Sequence, residues 1–125
     1  MTGAELGSFI DNLKKKAEDG AADSAYLLAL KYLEGTEVKK DIDEAAKWIR
    51  TAANRGYADA QYKLGQFHEQ GQGVTKSQTL AAMWYMIAGN NSHEEALQRL
   101  TNIMANLPEE EQEEVERMAS SFVPE

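Results

Sequence analysis

An internal repeat of 36 residues constrains the fold of this chain more than any other sequence feature. Residues 22–57 overlay residues 58–93 without a gap, and 12 of the 36 aligned pairs are identical. The identities include Tyr26 with Tyr62, Gly35 with Gly71, Val38 with Val74, Ala45 with Ala81, and Trp48 with Trp84. Glycine, alanine and aromatic residues determine turns and close packing. A repeat of this length is typical of solenoids, in which each unit packs mainly on its neighbours.

Each unit predicts two α-helices joined by a glycine-containing turn. Apolar residues recur at helical spacing in both halves of the unit. Gly35 and Gly71 follow the first helices, where a left-handed backbone ends a helix at little cost. Asp41 with Glu44, and Ser77 in the second unit, are placed to cap the second helices.

The flanking segments extend this plan and are predicted to cap the stack. An apolar stripe runs through residues 3–19, formed by Leu6, Phe9, Ile10, Leu13 and Ala17. Ser92 and Glu95 have capping-box spacing ahead of a predicted helix at 93–106. A last helix is predicted to start near Pro108, since proline suits a first helical turn.

These patterns predict an all-α fold, a right-handed α-solenoid of antiparallel helix pairs with about seven helices. It contains two full 36-residue repeats plus flanking capping helices in a single domain, 1–125. The predicted parts are an N-terminal capping helix at 1–21, repeat 1 at 22–57, repeat 2 at 58–92, and a C-terminal partial repeat with a capping helix at 93–125.

The repeat resembles the Sel-one-like repeat family, which is related to the tetratricopeptide repeats. The second unit carries the resemblance in Ala60, Leu64-Gly65, Gly71-Gln72-Gly73-Val74, Ala81, Trp84-Tyr85 and Ala88. The first unit departs from the pattern at Glu37, which replaces the second loop glycine, and the second at His68, which replaces an aromatic residue. The resemblance implies an interaction scaffold or adaptor without catalysis.

The loop 71–74 admits two interpretations, a phosphate cradle or a turn between helices. The aligned loop of the first unit carries Glu37, whose carboxylate would repel a phosphate. A Walker loop would also close with Gly-Lys-Ser or Gly-Lys-Thr, and that ending is missing. We therefore interpret the loop as a turn.

The remaining polar and aromatic features have structural interpretations. His68 aligns with Tyr32 and is expected to pack between helices rather than to bind a metal, whereas His93 is expected to be solvated at a helix start. Trp48 and Trp84 are expected to fill the core. The basic run 14–16 and the acidic run 109–116 are interpreted as solvated helix faces, with a docking role for the acidic run left open.

The charge and composition of the chain argue against several classes of function. The formal net charge of −8 argues against nucleic-acid binding, and no segment has the length and hydrophobicity of a membrane span. The chain has no cysteine and begins without a signal-peptide pattern, which favours a cytoplasmic location and leaves a periplasmic one open. We expect no cofactor and no metal, since no catalytic arrangement of side chains is visible.

The candidate binding site is the concave surface formed by the first helices of the repeats, here called the inner face. By resemblance to the tetratricopeptide arrangement it comprises Asp23, Tyr26, Leu30, Leu33, Asp59, Tyr62, Gln66, Glu69, Glu95, Gln98 and Asn102. Two aligned tyrosines beside acidic residues would suit a protein or peptide partner, and the acids would favour a partner segment with lysine or arginine. The alternative interpretation is that both tyrosines only pack between helices.

Two functions fit this sequence. The first is a non-catalytic adaptor that binds a protein or peptide segment, with self-association left open. The second is an inhibitor or immunity-type regulator that blocks a partner enzyme by docking. An enzyme is not expected.

Overall fold

The structure is a computed structural model that describes residues 3–125, without the side chains of residues 3–6 and 8. Seven α-helices span the described residues: α1 Gly3–Glu18, α2 Ala22–Glu34, α3 Ile42–Asn54, α4 Ala58–Gln70, α5 Gln78–Asn90, α6 Glu94–Met104 and α7 Glu109–Ser120. Leu6, which the predicted N-terminal stripe included, lies outside the described side chains. No strand occurs between residues 3 and 125, so the predicted all-α fold is confirmed.

The helices pack in chain order, as expected of a solenoid. Helices α2 and α3 form one antiparallel pair, α4 and α5 form the next, and α3 joins the two pairs by packing on α4. Helix α1 packs on α2 as α3 packs on α4, so it takes the position of a second helix in a preceding pair. None of the helices within 3–125 has the length and hydrophobicity needed to cross a membrane.

The predicted N-caps of the second helices are present. The side chain of Asp41 accepts a hydrogen bond from the backbone N–H of Glu44 at 3.0 Å, and Ser77 accepts one from that of Leu80 at 3.1 Å. The reciprocal half of the capping box at Asp41 is replaced, because its own N–H donates to the carbonyl of Tyr32 at 3.0 Å. That bond closes the turn between α2 and α3.

The predicted cap of α6 was wrong. Ser92 adopts a left-handed backbone with φ of 69° and ends the preceding turn. His93 is the N-cap instead, and its Nδ1 accepts a hydrogen bond from the backbone N–H of Ala96 at 3.2 Å. Ser92 and Glu95 have the spacing of a capping box, but the true N-cap, His93, lies one residue after Ser92. The capping atom belongs to an imidazole, a group that the usual cap pattern does not include.

The core is built from small residues and large aromatic ones. Trp48 and Trp84 are both buried, which confirms their predicted role, and the alanines between them let the helices approach closely. In repeat 2 the ring of Tyr85 lies directly on Gly65, where an added Cβ would be 2.5 Å from the ring. Repeat 1 has Ala29 and Ile49 at these two positions, so a larger residue on one helix accompanies a smaller one on the other.

A second pair of matched differences between the repeats occurs where the end of a second helix contacts a neighbouring helix. Arg55 donates directly from its guanidinium to the carbonyl of Ala17, at the end of α1. One repeat later, the aligned carbonyl of Ala53 accepts from Gln61 at 3.1 Å, and Gln61 in turn accepts from Asn91 at 3.0 Å. Asn91 aligns with Arg55. Arg55 is long enough to reach the carbonyl of the preceding helix directly. The shorter Asn91 reaches the equivalent carbonyl through Gln61.

The C-terminal segment covers the side of the stack formed by the second helices. Helix α7 packs on α5, and the ring of Phe122 meets that of Trp84 edge to face, with centroids 5.5 Å apart. The chain then runs back to the α3–α4 turn, where the N–H of Glu125 donates to the carbonyl of Asn54 at 2.8 Å. As a result, the first helices and the second helices differ in how much of their surface remains open.

Candidate interaction face

The inner-face residues lie at matching positions of α2, α4 and α6, and each is exposed or half-buried. On α4 they are spaced by three or four residues and form one face of the helix. The hydroxyl of Tyr62 accepts a hydrogen bond from Gln66 at 3.3 Å along this face. On α6 the residues Glu95, Gln98 and Asn102 are exposed.

An aromatic pair recurs at each junction between repeats on this face. The ring of Tyr26 meets that of Tyr57 with centroids 5.2 Å apart, and one repeat later the ring of Tyr62 stacks on that of His93 at 4.5 Å. Tyr57 and His93 precede α4 and α6 and align by the same shift of 36 residues. Tyr62 also meets the ring of Tyr85, with centroids 5.7 Å apart. Both tyrosines of the inner face are therefore packed between rings yet remain half-buried, so neither of the two interpretations alone describes them.

The acidic residues of the α4 part of the inner face are already engaged. Asp59 Oδ1 lies 3.1 Å from His93 Nε2. Glu69 accepts a hydrogen bond from the hydroxyl of Tyr85 and one from Arg99 at 3.3 Å. These contacts connect α4 to α5 and α6, and they reduce the negative charge that the inner face offers to a basic partner. Asp59 still keeps more than half of its side-chain surface in solvent.

The expected solvation of His93 was wrong. Only 12% of its side-chain surface is exposed, because the ring lies against Tyr62 while its two nitrogens bond to Asp59 and to the start of α6. Its position before a helix suggested an exposed residue. The alignment with Tyr57 was the signal in the sequence that pointed to an aromatic contact at this junction instead.

Tyr85 was not anticipated as part of the site. It is fully buried, and its hydroxyl donates a hydrogen bond to Glu69 at the edge of the inner face. Burial, followed by the hydrogen bond and the charge of Glu69, raises the pKa of Tyr85 well above its usual value. Burial, followed by the charge of Asp59 and the proximity of Tyr57, also raises the pKa of Tyr26. Both tyrosines are therefore neutral hydrogen-bonding groups at physiological pH.

The glycine-rich loop is a turn packed against the preceding repeat. Gly71 and Gly73 both have left-handed backbones, and a Cβ on Gly73 would lie 2.8 Å from that of Ala46 in α3. Glu37, at the position of Gly73, adopts φ of 71° against 67°. The backbone therefore follows the same path with and without the second glycine, as the turn interpretation requires.

His68 holds this loop in place from inside the repeat. Its side chain is buried, and Nδ1 lies 2.9 Å from the carbonyl of Thr75, to which it can donate in the appropriate tautomer. Burial lowers the pKa of His68, Arg50 lowers it further, and the Thr75 carbonyl opposes the shift. The predicted packing role of His68 matches this position.

The lowered pKa of His68 predicts a pH-dependent stability. The unfolded chain takes up a proton at about pH 6.5, whereas the folded chain resists it until a lower pH. The contribution of neutral His68 is therefore complete above about pH 6.5 and is lost as the pH falls below it, by at most about 1.4 kcal/mol per pH unit. Urea unfolding at several pH values should show a smaller loss on acidification for His68→Tyr. Equal losses in both proteins would contradict this role.

The fold and the inner face define a helical-repeat protein built from two-helix units. The family model of the Sel1 repeat matches residues 22–57 and 58–93, which are the two units found by self-alignment. Together they make up more than half of the chain, so the chain belongs to the Sel1 repeat family. Members of this family are generally protein–protein interaction modules and typically lack catalysis.

Solved structures with the same fold support this assignment. A protective antigen of uropathogenic Escherichia coli strains that displays an SLR fold matches with a TM-score of 0.83 and 25% identity, covering 90% of this chain. A Sel1 repeat protein from Oxalobacter formigenes matches with a TM-score of 0.75 and 31% identity over 78% of this chain. This chain covers only 24% of the antigen and 40% of the Oxalobacter protein.

A third structural relative is the cysteine-rich protein B of Helicobacter pylori. It matches with a TM-score of 0.72 and 26% identity, covering 75% of this chain and 71% of its own. This chain has no cysteine, so the similarity does not extend to the feature for which that protein is named. A search of curated proteins finds no match.

Proposed function

We propose that this protein is a non-catalytic interaction module whose inner face binds an extended segment of a partner protein. The aromatic pair at the repeat junctions carries the proposal. It presents Tyr26 and Tyr62 at the same position of successive repeats, and each is half-buried and held by neighbouring rings. Aromatic rings held in this way lose little entropy on binding and are enriched at the centres of protein interfaces.

The distribution of covered surface supports the same face. Helix α7 and the segment after it pack against the second helices, through Phe122 on Trp84 and Glu125 on Asn54. Within the described residues, no helix or segment covers the inner-face side chains of α2, α4 and α6 in this way. A partner segment lying along α2, α4 and α6 would contact the same residue positions in each repeat, as expected for recognition by a solenoid.

The charges on the inner face favour a partner segment with at least one basic residue. Asp23 and Glu95 are exposed, and Asp59 keeps more than half of its side-chain surface in solvent. A lysine or arginine of the partner could approach Asp59 without breaking its contact with His93, since a carboxylate has several acceptor positions. Such contacts speed association more than they raise affinity.

Asp59→Lys is expected to weaken partner binding by about 1 kcal/mol, a factor of roughly five in Kd. The charge reversal places a cation where a basic residue of the partner is expected, and Tyr62→Ala should act in the same direction by removing the ring beside it. Isothermal titration calorimetry, with a partner identified by affinity purification, measures the change.

Asp43→Lys is the matched control, because Asp43 is also an exposed acid in the first turn of a helix but belongs to α3. It should leave Kd unchanged. Equal weakening by both substitutions would show that the effect comes from net charge alone and would contradict binding at the inner face. So would a lower melting temperature of Asp59→Lys with unchanged Kd.

The same purification separates an adaptor from an inhibitor or immunity-type regulator. A regulator that blocks an enzyme should retain one partner at a fixed stoichiometry and abolish its activity. An adaptor that binds a peptide segment should retain a partner whose activity, if it has one, persists in the complex. Loss of enzyme activity at equimolar ratio would replace the adaptor proposal with the regulator.

A further inference from the structure

A groove opens between α1 and α2 at the N-terminal end of the stack. It has a volume of about 300 Å³ and is lined by Phe9, Asn12, Leu13, Lys16, Ser24 and Leu27. Phe9 is 37% exposed and Leu27 is 40% exposed, so two large apolar side chains of this groove meet solvent together. None of the inner-face residues lines this groove, so an interaction here is independent of the proposed function.

The alignment of α1 with the second helices of the two repeats, by shifts of 36 residues, identifies the place of this groove in the stack. Leu13 of α1 is 7% exposed, and it aligns with Ile49 of α3 and Tyr85 of α5, whose side chains are fully buried. Tyr85 is buried against Gly65, which lies on the first helix of its own pair. In the two complete repeats the first helix of each pair covers the second, so that α2 covers α3 and α4 covers α5. Helix α1 corresponds to α3 and α5, and the groove lies where a first helix would cover it.

The charge at the end of α1 differs from that of the corresponding helices. Lys15 and Lys16 lie in the last turn of α1, whereas the last turns of α3 and α5 contain no basic residue. In an antiparallel pair this turn lies beside the first turn of the first helix. The first turns of α2 and α4 are acidic, through Asp23 and Asp59. The lysines of α1 are thus complementary to the kind of helix that the groove would accept.

We propose that this groove binds an amphipathic helix of a partner protein, antiparallel to α1, with an acidic first turn near Lys16. Its apolar residues, spaced by three and four, would cover Phe9, Leu13 and Leu27, as in other helix-in-groove complexes. Phe9 and Lys16 align with Ala45 and Ala52, which are smaller. Phe9 and Lys16 therefore leave less room in this groove than Ala45 and Ala52 leave beside α3.

A synthetic peptide with the sequence of residues 22–34, capped at both ends, is the probe. It reproduces the helix that covers α3, including an acidic first turn and small residues at Ala25 and Ala29. An isolated helix of this length is marginal in water, so weak binding is expected. In a nitrogen-15 NMR titration of the full chain, the amide signals of residues 12–16 and 24–27 should shift saturably.

Two sets of variants make the result specific. Leu27→Ala should weaken peptide binding about tenfold, as expected for loss of a central apolar contact. Leu97→Ala should leave it unchanged, because Leu97 is similarly exposed but lies on α6. Lys16→Glu should weaken binding of the original peptide and strengthen binding of a peptide with lysine in place of its aspartate.

Three results would overturn the proposal. The first is the absence of shifts up to the solubility limit of the peptide. The second is a set of shifts centred on Tyr62 and the rest of the inner face. The third is a shift of the groove signals on concentrating the protein without peptide, which would make a second copy of this chain the occupant.

Discussion

Gly65→Ala is expected to lower the free energy of unfolding by about 2–3 kcal/mol. The new methyl group would lie 2.5 Å from the ring of Tyr85, which is fully buried and tied to Glu69 through its hydroxyl. The ring cannot move aside without breaking that bond or disturbing its neighbours. This cost exceeds the gain of about 1 kcal/mol that alanine brings over glycine within a helix. Urea unfolding followed by circular dichroism measures the change.

Tyr85→Ile in the Gly65→Ala background should recover most of this loss. The double variant reproduces the pair formed by Ala29 and Ile49 in repeat 1, so the two substitutions should be strongly non-additive. Gly7→Ala is the control, since Gly7 is also helical and a Cβ there meets nothing within 4 Å. It should be neutral or stabilising. Additive effects of the two substitutions would show that the positions do not compensate for each other.

Gln61→Ala is expected to cost about 2 kcal/mol through a different mechanism. Gln61 is fully buried, and it links the carbonyl of Ala53 to the amide of Asn91. Removing it breaks both hydrogen bonds and leaves a small cavity between the repeats. The carbonyl keeps its bond from the N–H of Gly56, which limits the loss.

Asn91→Arg should restore part of the stability of Gln61→Ala. The arginine would reach the carbonyl of Ala53 as Arg55 reaches that of Ala17 one repeat earlier, across the space that alanine occupies at Ala25. Unfolding of the four proteins in a double-mutant cycle gives the coupling energy. If Asn91→Arg stabilises the unmutated chain and the Gln61→Ala variant equally, its effect does not pass through this carbonyl.

These two compensations show why aligned positions of the repeats differ without a change in fold. Gly65 differs from Ala29, and Gln61 from Ala25, yet each difference is matched by another on the facing helix or in the adjoining turn. Interiors are packed densely enough that a change in volume or polarity at one position requires a matching change at its neighbour. Fewer identities therefore do not mean less similar packing.

The candidate site was predictable in outline and not in its contacts. The spacing of Asp59, Tyr62, Gln66 and Glu69 places them on one helix face, and the structure brings them together there. The partners of these side chains come from other helices, through His93, Tyr85 and Arg99, which lie between 16 and 34 positions further along the chain. Helical periodicity describes one helix at a time and carries no information about such contacts.

The sequence by itself determined the architecture of this protein. The 36-residue repeat, the helical periodicity and the turn glycines specify helix pairs and their order, because those signals act over a few residues or are repeated along the chain. Only the tertiary structure decided that His93 is packed rather than solvated, that the acids of α4 are already paired, and that a groove lies between α1 and α2. These features depend on which side chains meet across helices and on their sizes and charges, and no local pattern encodes that geometry.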